Sequence, residues 1–281
     1  MSPAGLVFGL LAALGWGTSD LFAGFASRRA SPLATLLVAQ LVALLITIPI
    51  LVLVAEPRPG GAAVAWAMGS GLGAFCALAF LYRGFAASPV GPVTAVAAIV
   101  GVALPVIIGP LTGDRLRAGD VLGIVAGIGA ILLVTRPGGA APIGRAGITA
   151  AVLSGVGAGF YFVMIRQSTL AGGGTWWTIT VSRSTVFLLA LLVTVWTHEV
   201  RATIRSRAPS MVGVSLTDLF GTTFFVLATA QGALSIAAVL ASQSPAVTTV
   251  MARTFLDQRL TRAQAGGIAL ALIGVGLIAL P

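Results

Sequence analysis

With 281 residues, 58% of them hydrophobic, 8% charged and a further 36 glycine, the chain has too few charges to build a water-facing surface, and most of its exterior must face lipid. Its formal charge of +9 does not make it a nucleic-acid binder: all 16 basic residues are arginine, and most sit in short connectors between apolar runs, where membrane-interface anchors belong. The absence of lysine also excludes a Walker A loop, a Schiff base and a Ser-Lys dyad.

A spanning helix needs about 20 mainly apolar residues to cross about 30 Å of hydrocarbon. That ruler predicts ten spans, at residues 4–25, 33–55, 62–82, 86–111, 121–135, 146–165, 176–197, 211–230, 234–256 and 263–280. The first is expected to be a true span. It lacks a basic n-region, and its apolar stretch exceeds the ~7–15 residues of a signal-peptide core. Cys76, the lone cysteine, lies inside the third span, can form no internal disulfide and reads as packing filler. The connectors carry helix-end punctuation: Arg28-Arg29-Ala30-Ser31-Pro32, Glu56-Pro57-Arg58-Pro59-Gly60, Ser88-Pro89, Arg136-Pro137-Gly138-Gly139 and Ala171-Gly172-Gly173-Gly174. Ten spans take about three quarters of the chain, so no soluble domain is expected.

The chain also repeats itself. An offset of 144 sets Arg115-Leu116 on Arg259-Leu260, Gly123-Ile124 on Gly267-Ile268, Ala86 on Ala230, Ala97 on Ala241 and Val106 on Val250. An offset of 140 sets Gly15-Trp16-Gly17 against Gly155-Val156-Gly157. The expected division is therefore residues 1–140 and 141–281, five spans each. An odd number of crossings makes the second unit enter from the opposite face. The predicted fold is thus all-α and polytopic, with ten transmembrane helices as two inverted five-helix repeats. Secondary transporters use this plan, with the site near the midplane between the halves.

At these residues the sequence resembles the EamA group of the drug/metabolite transporter superfamily. The resemblance covers nearly the whole chain. It rests on Trp16-Gly17 in the first span and on Ser244-Pro245-Ala246-Val247, Met251-Ala252-Arg253, Arg259-Leu260, Gly267 and Gly274 in the second half. In the first half it rests on Thr112-Gly113-Asp114-Arg115-Leu116 and Gly123. The family's turn Glu is replaced by Asp114 and Gln258, and the expected first-copy Pro by Gly101, with Pro105 four residues on. These departures argue against a role for the turn carboxylate. The resemblance implies a central cavity formed by spans one, three, four, six, eight and nine, which makes Trp16, Tyr161 and Gln243 wall candidates. Simple packing, or interface anchoring for the aromatics, is the alternative. Trp176-Trp177, at a span start, reads as an anchor.

An ionisable side chain at mid-helix in lipid costs about 2.5–3.5 kcal/mol. Of the seven carboxylates only Asp20 and Asp218 fall inside apolar runs. Counted along their spans, both lie roughly 7–10 Å below one face, and Arg253 is near the same face. The three are expected to line one vestibule, with a protonatable carboxylate among them. The competing reading is interfacial hydration, or a pairing that only settles the fold. Arg183 is expected one or two turns below the opposite face, where its fork of donors suits a carboxylate or phosphate on a solute. It could instead tie helices together or snorkel. Gln40 occupies the matching place in the first unit. In span nine, Pro245 frees the carbonyl of Ala241 and predicts a bend beside Gln243.

No cofactor, metal site or enzyme activity is expected. His198, the only histidine, sits beside Glu199 at a span boundary and reads as an interface residue. The small-xxx-small pairs Gly5/Gly9, Gly69/Gly73, Gly123/Gly127 and Gly155/Gly159 let helices approach closely, and a homodimer is compatible with them. The expected partners are a small-molecule solute and the bilayer of the cell (inner or plasma) membrane, with protons or another ion as coupling candidates and no nucleic acid. The expected activity is secondary transport of a small metabolite or drug-like molecule by alternating access, leaning toward export. A channel or a lipid scramblase is the alternative. Eleven arginines fall on the face reached by odd-numbered spans and four on the other. By the positive-inside rule both termini are then outside, whereas members of the family resembled are generally described with both inside.

Overall fold

The structure is a computed structural model describing residues 2–26, 30–88, 90–134, 144–197, 210–256 and 261–279, apart from the side chains at 91, 252, 253, 255 and 256. The described residues form helices α1 (Pro3–Ala26), α2 (Pro32–Val54), α3 (Gly61–Ala87), α4 (Val90–Leu111), α5 (Ala118–Val134), α6 (Arg145–Leu170), α7 (Thr175–Trp196), α8 (Ser210–Ala230), α9 (Leu234–Ala241), α10 (Ser244–Leu256) and α11 (Arg262–Ala279), with no strand among them. Among the described residues, nine stretches are long and apolar enough to span a membrane, and α5 is a shorter apolar helix. Their outward surfaces are apolar as well: Leu53 is 84% exposed and Trp196 81%. Such surface is tolerable only against lipid.

Local chemistry sets the helix ends. Ser31 caps α2, its Oγ accepting from the N–H of Ala34 at 3.1 Å, with Pro32 at the first helical position. α5 begins at Ala118, three residues before the sequence pattern suggested. There the Asp120 carboxylate accepts from the backbone N–H of Arg117 at 2.8 Å and from its guanidinium at 3.0 Å, which closes an extra turn. The ninth span is interrupted between α9 and α10. Pro245 has no N–H for the Ala241 carbonyl, and the chain turns through Ser242 and Gln243 before helix resumes. The bend expected from the sequence is therefore a break.

The halves interlock. α3 packs on α6 as α1 packs on α8; α4 packs on α6 as α9 and α10 pack on α1; α3 packs on α7 as α2 packs on α8. α5 and α11 pair with each other, as do α2 and α7. Every such contact has its mate under a two-fold exchange of the halves, as an inverted repeat requires. Ten crossings result, with α9 and α10 sharing one. We call the face from which α1 starts the entry face and its opposite the far face.

Glycines permit the closest crossings. A Cβ on Gly157 would stand 2.6 Å from the backbone nitrogen of Ala77, and one on Gly73 would stand 2.7 Å from that of Tyr161. Gly157→Ala should therefore force α3 and α6 apart and cost about 1–3 kcal/mol. A lowered melting temperature in detergent checks this. Gly276→Ala inside α11, where the new Cβ would meet nothing within 4 Å, is the control and should not lower it.

Candidate functional site

A cavity of about 920 Å³, mouth included, is lined by residues of both repeats. Its lining runs along α1 from Trp16 to Asp20, α3 from Ala74 to Tyr82, α4 from Thr94 to Gly101, α6 from Ser154 to Phe162, and the middles of α7 and α8. α1 and α3 end, and α4 begins, at the far face, so the cavity occupies the far-face half of the membrane and reaches the centre. Asp20 lies six residues before the end of α1, about 9 Å deep at 1.5 Å per residue. Trp16, one turn further in on the same side of the helix, is about 15 Å deep.

Trp16 anchors the floor. Its ring lies 5.7 Å from Phe162, 5.3 Å from Phe225 and 6.3 Å from Tyr161, and Phe162 and Phe225 are 4.8 Å apart. Such pairs contribute about 0.5–1.5 kcal/mol each beyond area burial, so the floor is a rigid aromatic layer. Trp16 and Tyr161 both line the cavity.

Arg183 is 4% exposed and nearly saturated. One terminal nitrogen donates to Gln40 Oε1 at 3.2 Å and to the Asp218 carboxylate. The other donates to Thr222 Oγ1 at 2.5 Å and to the Asp218 carbonyl at 3.4 Å. Asp218 and Arg183 therefore meet, although the sequence reading set them near opposite faces. Each stands eight residues into its helix, about 12 Å from its own face. In a layer of about 30 Å the long guanidinium arm closes the remaining gap. Gln40 does not line the cavity; it acts through Arg183. Of the expected cluster of Asp20, Asp218 and Arg253, the two carboxylates share the cavity, and Arg183 lines it with them. The Arg253 side chain lies outside the described residues.

Gln243 also differs from expectation. Its amide nitrogen donates to the carbonyls of Gly127 at 3.3 Å and Val239 at 3.1 Å, so it faces α5. Its neighbours Ser242 and Ser244 line the cavity instead. Tyr82, 1% exposed and part of the lining, was read only as a span end.

The entry-face side is closed by two connector carboxylates, Glu56 and Asp114. Glu56 follows Ala55, whose φ of 50° turns the chain out of α2. Its carboxylate accepts from the N–H of Trp176 at 3.0 Å and of Trp177 at 3.0 Å, and Trp177 Nε1 donates to the Glu56 carbonyl at 3.1 Å. Trp176 and Trp177 are thus part of an inter-repeat joint as well as aromatic residues at a span start. Gly113, at φ 105°, makes the turn that returns Asp114 toward α9. Asp114 accepts from the N–H of Leu234 at 3.1 Å and of Ser235 at 2.8 Å, and from Ser235 Oγ at 2.8 Å. Contrary to the expectation for the turn carboxylate, Asp114 therefore has a definite partner. Both acids satisfy unpaired N–H groups at a helix start, where the dipole favours negative charge. Each joins a helix of one repeat to its counterpart in the other, α2 to α7 and α4 to α9. All eight residues of α9 are buried, so it plugs the path from cavity to entry face. Ser168 Oγ donates to the Ala63 carbonyl at 3.0 Å, and Arg166 donates to the Thr229 carbonyl.

The model of the EamA-like transporter family matches residues 3–136 and again 145–280. No curated protein matches the sequence. Among solved structures 26 chains match. One, described as "Crystal structure of protein", superposes with a TM-score of 0.76 at 18% identity, covering 99% of this chain and 97% of that one, a likeness of fold alone. With one match per five-helix half, the chain belongs to the EamA-like transporter family and is a multi-pass membrane transporter of the drug/metabolite superfamily.

Proposed function

We propose that this protein is a secondary carrier that exports a small metabolite or drug-like solute by alternating access, with protons or another ion as the coupling species. The observation that carries this reading is the one-sided cavity. Both repeats line it in the far-face half, while Glu56, Asp114 and the buried α9 close the entry-face half. A channel would need a continuous path, and a scramblase an open polar furrow along the lipid. The candidate site is Trp16, Asp20, Tyr161, Arg183 and Asp218 in the cavity, with Gln40 positioning Arg183. The repeats divide at 140/141. The excess of arginine that the sequence assigns to the connectors after odd-numbered spans orients the cavity to the cytoplasm, from which an exporter loads.

Purified protein in liposomes, with solutes drawn from cells that lack or overproduce it, should give saturable flux that follows a solute or ion gradient. Flux linear in concentration, or lipid flip-flop without solute movement, would refute the carrier reading.

A further inference from the structure

We propose that the cavity binds a monovalent organic cation, held by the Asp20 carboxylate against the walls formed by Trp16, Tyr82, Tyr161 and Phe162, and that a proton competes for the same carboxylate. The proposal deepens the carrier reading and rests on it for the purpose of the site. The binding itself can be measured without transport.

Among the described lining residues the cavity holds two carboxylates, Asp20 and Asp218, and one guanidinium, Arg183. A guanidinium has five N–H donors. Four bonds already run from Arg183 to Gln40, Thr222 and the side chain and carbonyl of Asp218. Only the Nε–H is left, and at 4% exposure a single donor gives an anion no two-point grip, so the carboxylate- or phosphate-bearing solute suggested by the sequence loses its bidentate anchor. Asp218 in turn is matched by Arg183.

Asp20 is different. It is half-buried, faces the cavity, and has neither a hydrogen bond nor an ion pair among the described residues. Its neighbour Ser19 gives its hydroxyl to the Val214 carbonyl at 3.3 Å. Among the described lining residues, the cavity therefore carries one negative charge without a partner. The charged and titratable groups around it are Asp218 on α8, Arg183 on α7, Tyr82 on α3 and Tyr161 on α6. α4 and α9 supply none. α10 carries Arg253, whose side chain lies outside the described residues, and α11 carries Arg262 in its first turn.

The aromatic wall makes the same selection. Ring faces are electron-rich and attract cations most strongly where water is excluded. An apolar enclosure with one unpartnered carboxylate suits a flat or bulky ammonium, or another delocalised cation. It repels an anion, and it gives a neutral solute no use for Asp20. Occupation by a proton leaves the carboxyl neutral and removes the cation's attraction, so proton and solute exclude each other.

The test is equilibrium binding of radiolabelled tetraphenylphosphonium to the purified full-length protein in nanodiscs. Wild type should bind saturably at pH 8, and benzyltrimethylammonium, but not benzoate, should displace the label. Asp20→Asn should weaken binding roughly tenfold or more, the usual loss for a charged partner, while Asp20→Glu retains it. Acidification should weaken binding to wild type and leave the residual binding of Asp20→Asn unchanged. The proposal is overturned if a folded Asp20→Asn protein binds the cation as wild type does, if wild type does not bind it, or if benzoate displaces it equally well. Should Asp20→Asn not fold, the wild-type pH dependence decides: affinity that does not change with pH overturns the proposal. Asp20-dependent binding without gradient-dependent flux would count against the carrier reading and leave this site standing.

Discussion

Asp218→Asn should destabilise the protein by about 3–5 kcal/mol, the loss expected when one partner of a buried ion pair is removed. Arg183 is 4% exposed and lies midway through α7, so its charge cannot reach water when its counter-ion is gone. Gln40 and Thr222 would remain as neutral acceptors, and neutral dipoles do not offset an ion in a low-dielectric interior. Arg183→Gln should be nearly as damaging, since it strands the Asp218 carboxylate. The double replacement Arg183→Met with Asp218→Leu should recover much of the stability, because removing both charges removes both desolvation penalties. Melting temperatures of the four proteins, measured in one detergent, check this order of stability. If Asp218→Asn melts with wild type, the pair is not what holds α7 to α8. Gradient-driven flux should vanish in all three variants. A double variant that is stable but inactive would separate a functional role from a structural one.

The fold was legible because lipid imposes a coarse code. Apolar runs of the right length must be helices, an odd number of them per repeat must invert the second copy, and Pro245 had to interrupt its span. The site was legible only in part. Asp20, Trp16, Tyr161, Arg183 and Asp218 stand out because a polar or bulky side chain in an apolar run needs a reason. How they pair does not follow from depth counted along separate helices. Arg183 and Asp218 start from opposite faces, and the guanidinium arm is as long as the gap between them. Gln243 shows the converse: its position beside a proline suggested the cavity, but the break in the ninth span turns its amide toward the Gly127 carbonyl. Glu56 and Asp114 were hidden for a different reason. A connector carboxylate looks like ordinary solvated punctuation, and every helix start offers the same unpaired N–H groups. Only the spatial pairing of α2 with α7 and α4 with α9 reveals which start each acid serves.

That pairing leads to the second large effect. Glu56→Gln with Asp114→Asn keeps shape and removes both charges that join the repeats at the entry face. Hydrogen bonds to a charged group contribute about 1.5–3 kcal/mol each, and 1.4 kcal/mol is a factor of about ten in population. The pair of substitutions should therefore shift the balance toward the entry-face-open form by at least about tenfold. The readout is labelling of single cysteines by a hydrophilic maleimide in a Cys76→Ala background. Ala63→Cys reports the entry face, where Ala63 is 1% exposed beside Ser168. Ala98→Cys on α4 reports the cavity wall. With the carboxylates intact, position 63 should react slowly and position 98 readily. Without them, labelling at 63 should accelerate and labelling at 98 should slow. Opposite changes are what an exchange of access requires, since α9 and its plug can leave the entry face only if the far face closes over Asp20. A rise at both positions would mean that the helices have merely loosened. No change at either would mean that Glu56 and Asp114 cap helices without gating them.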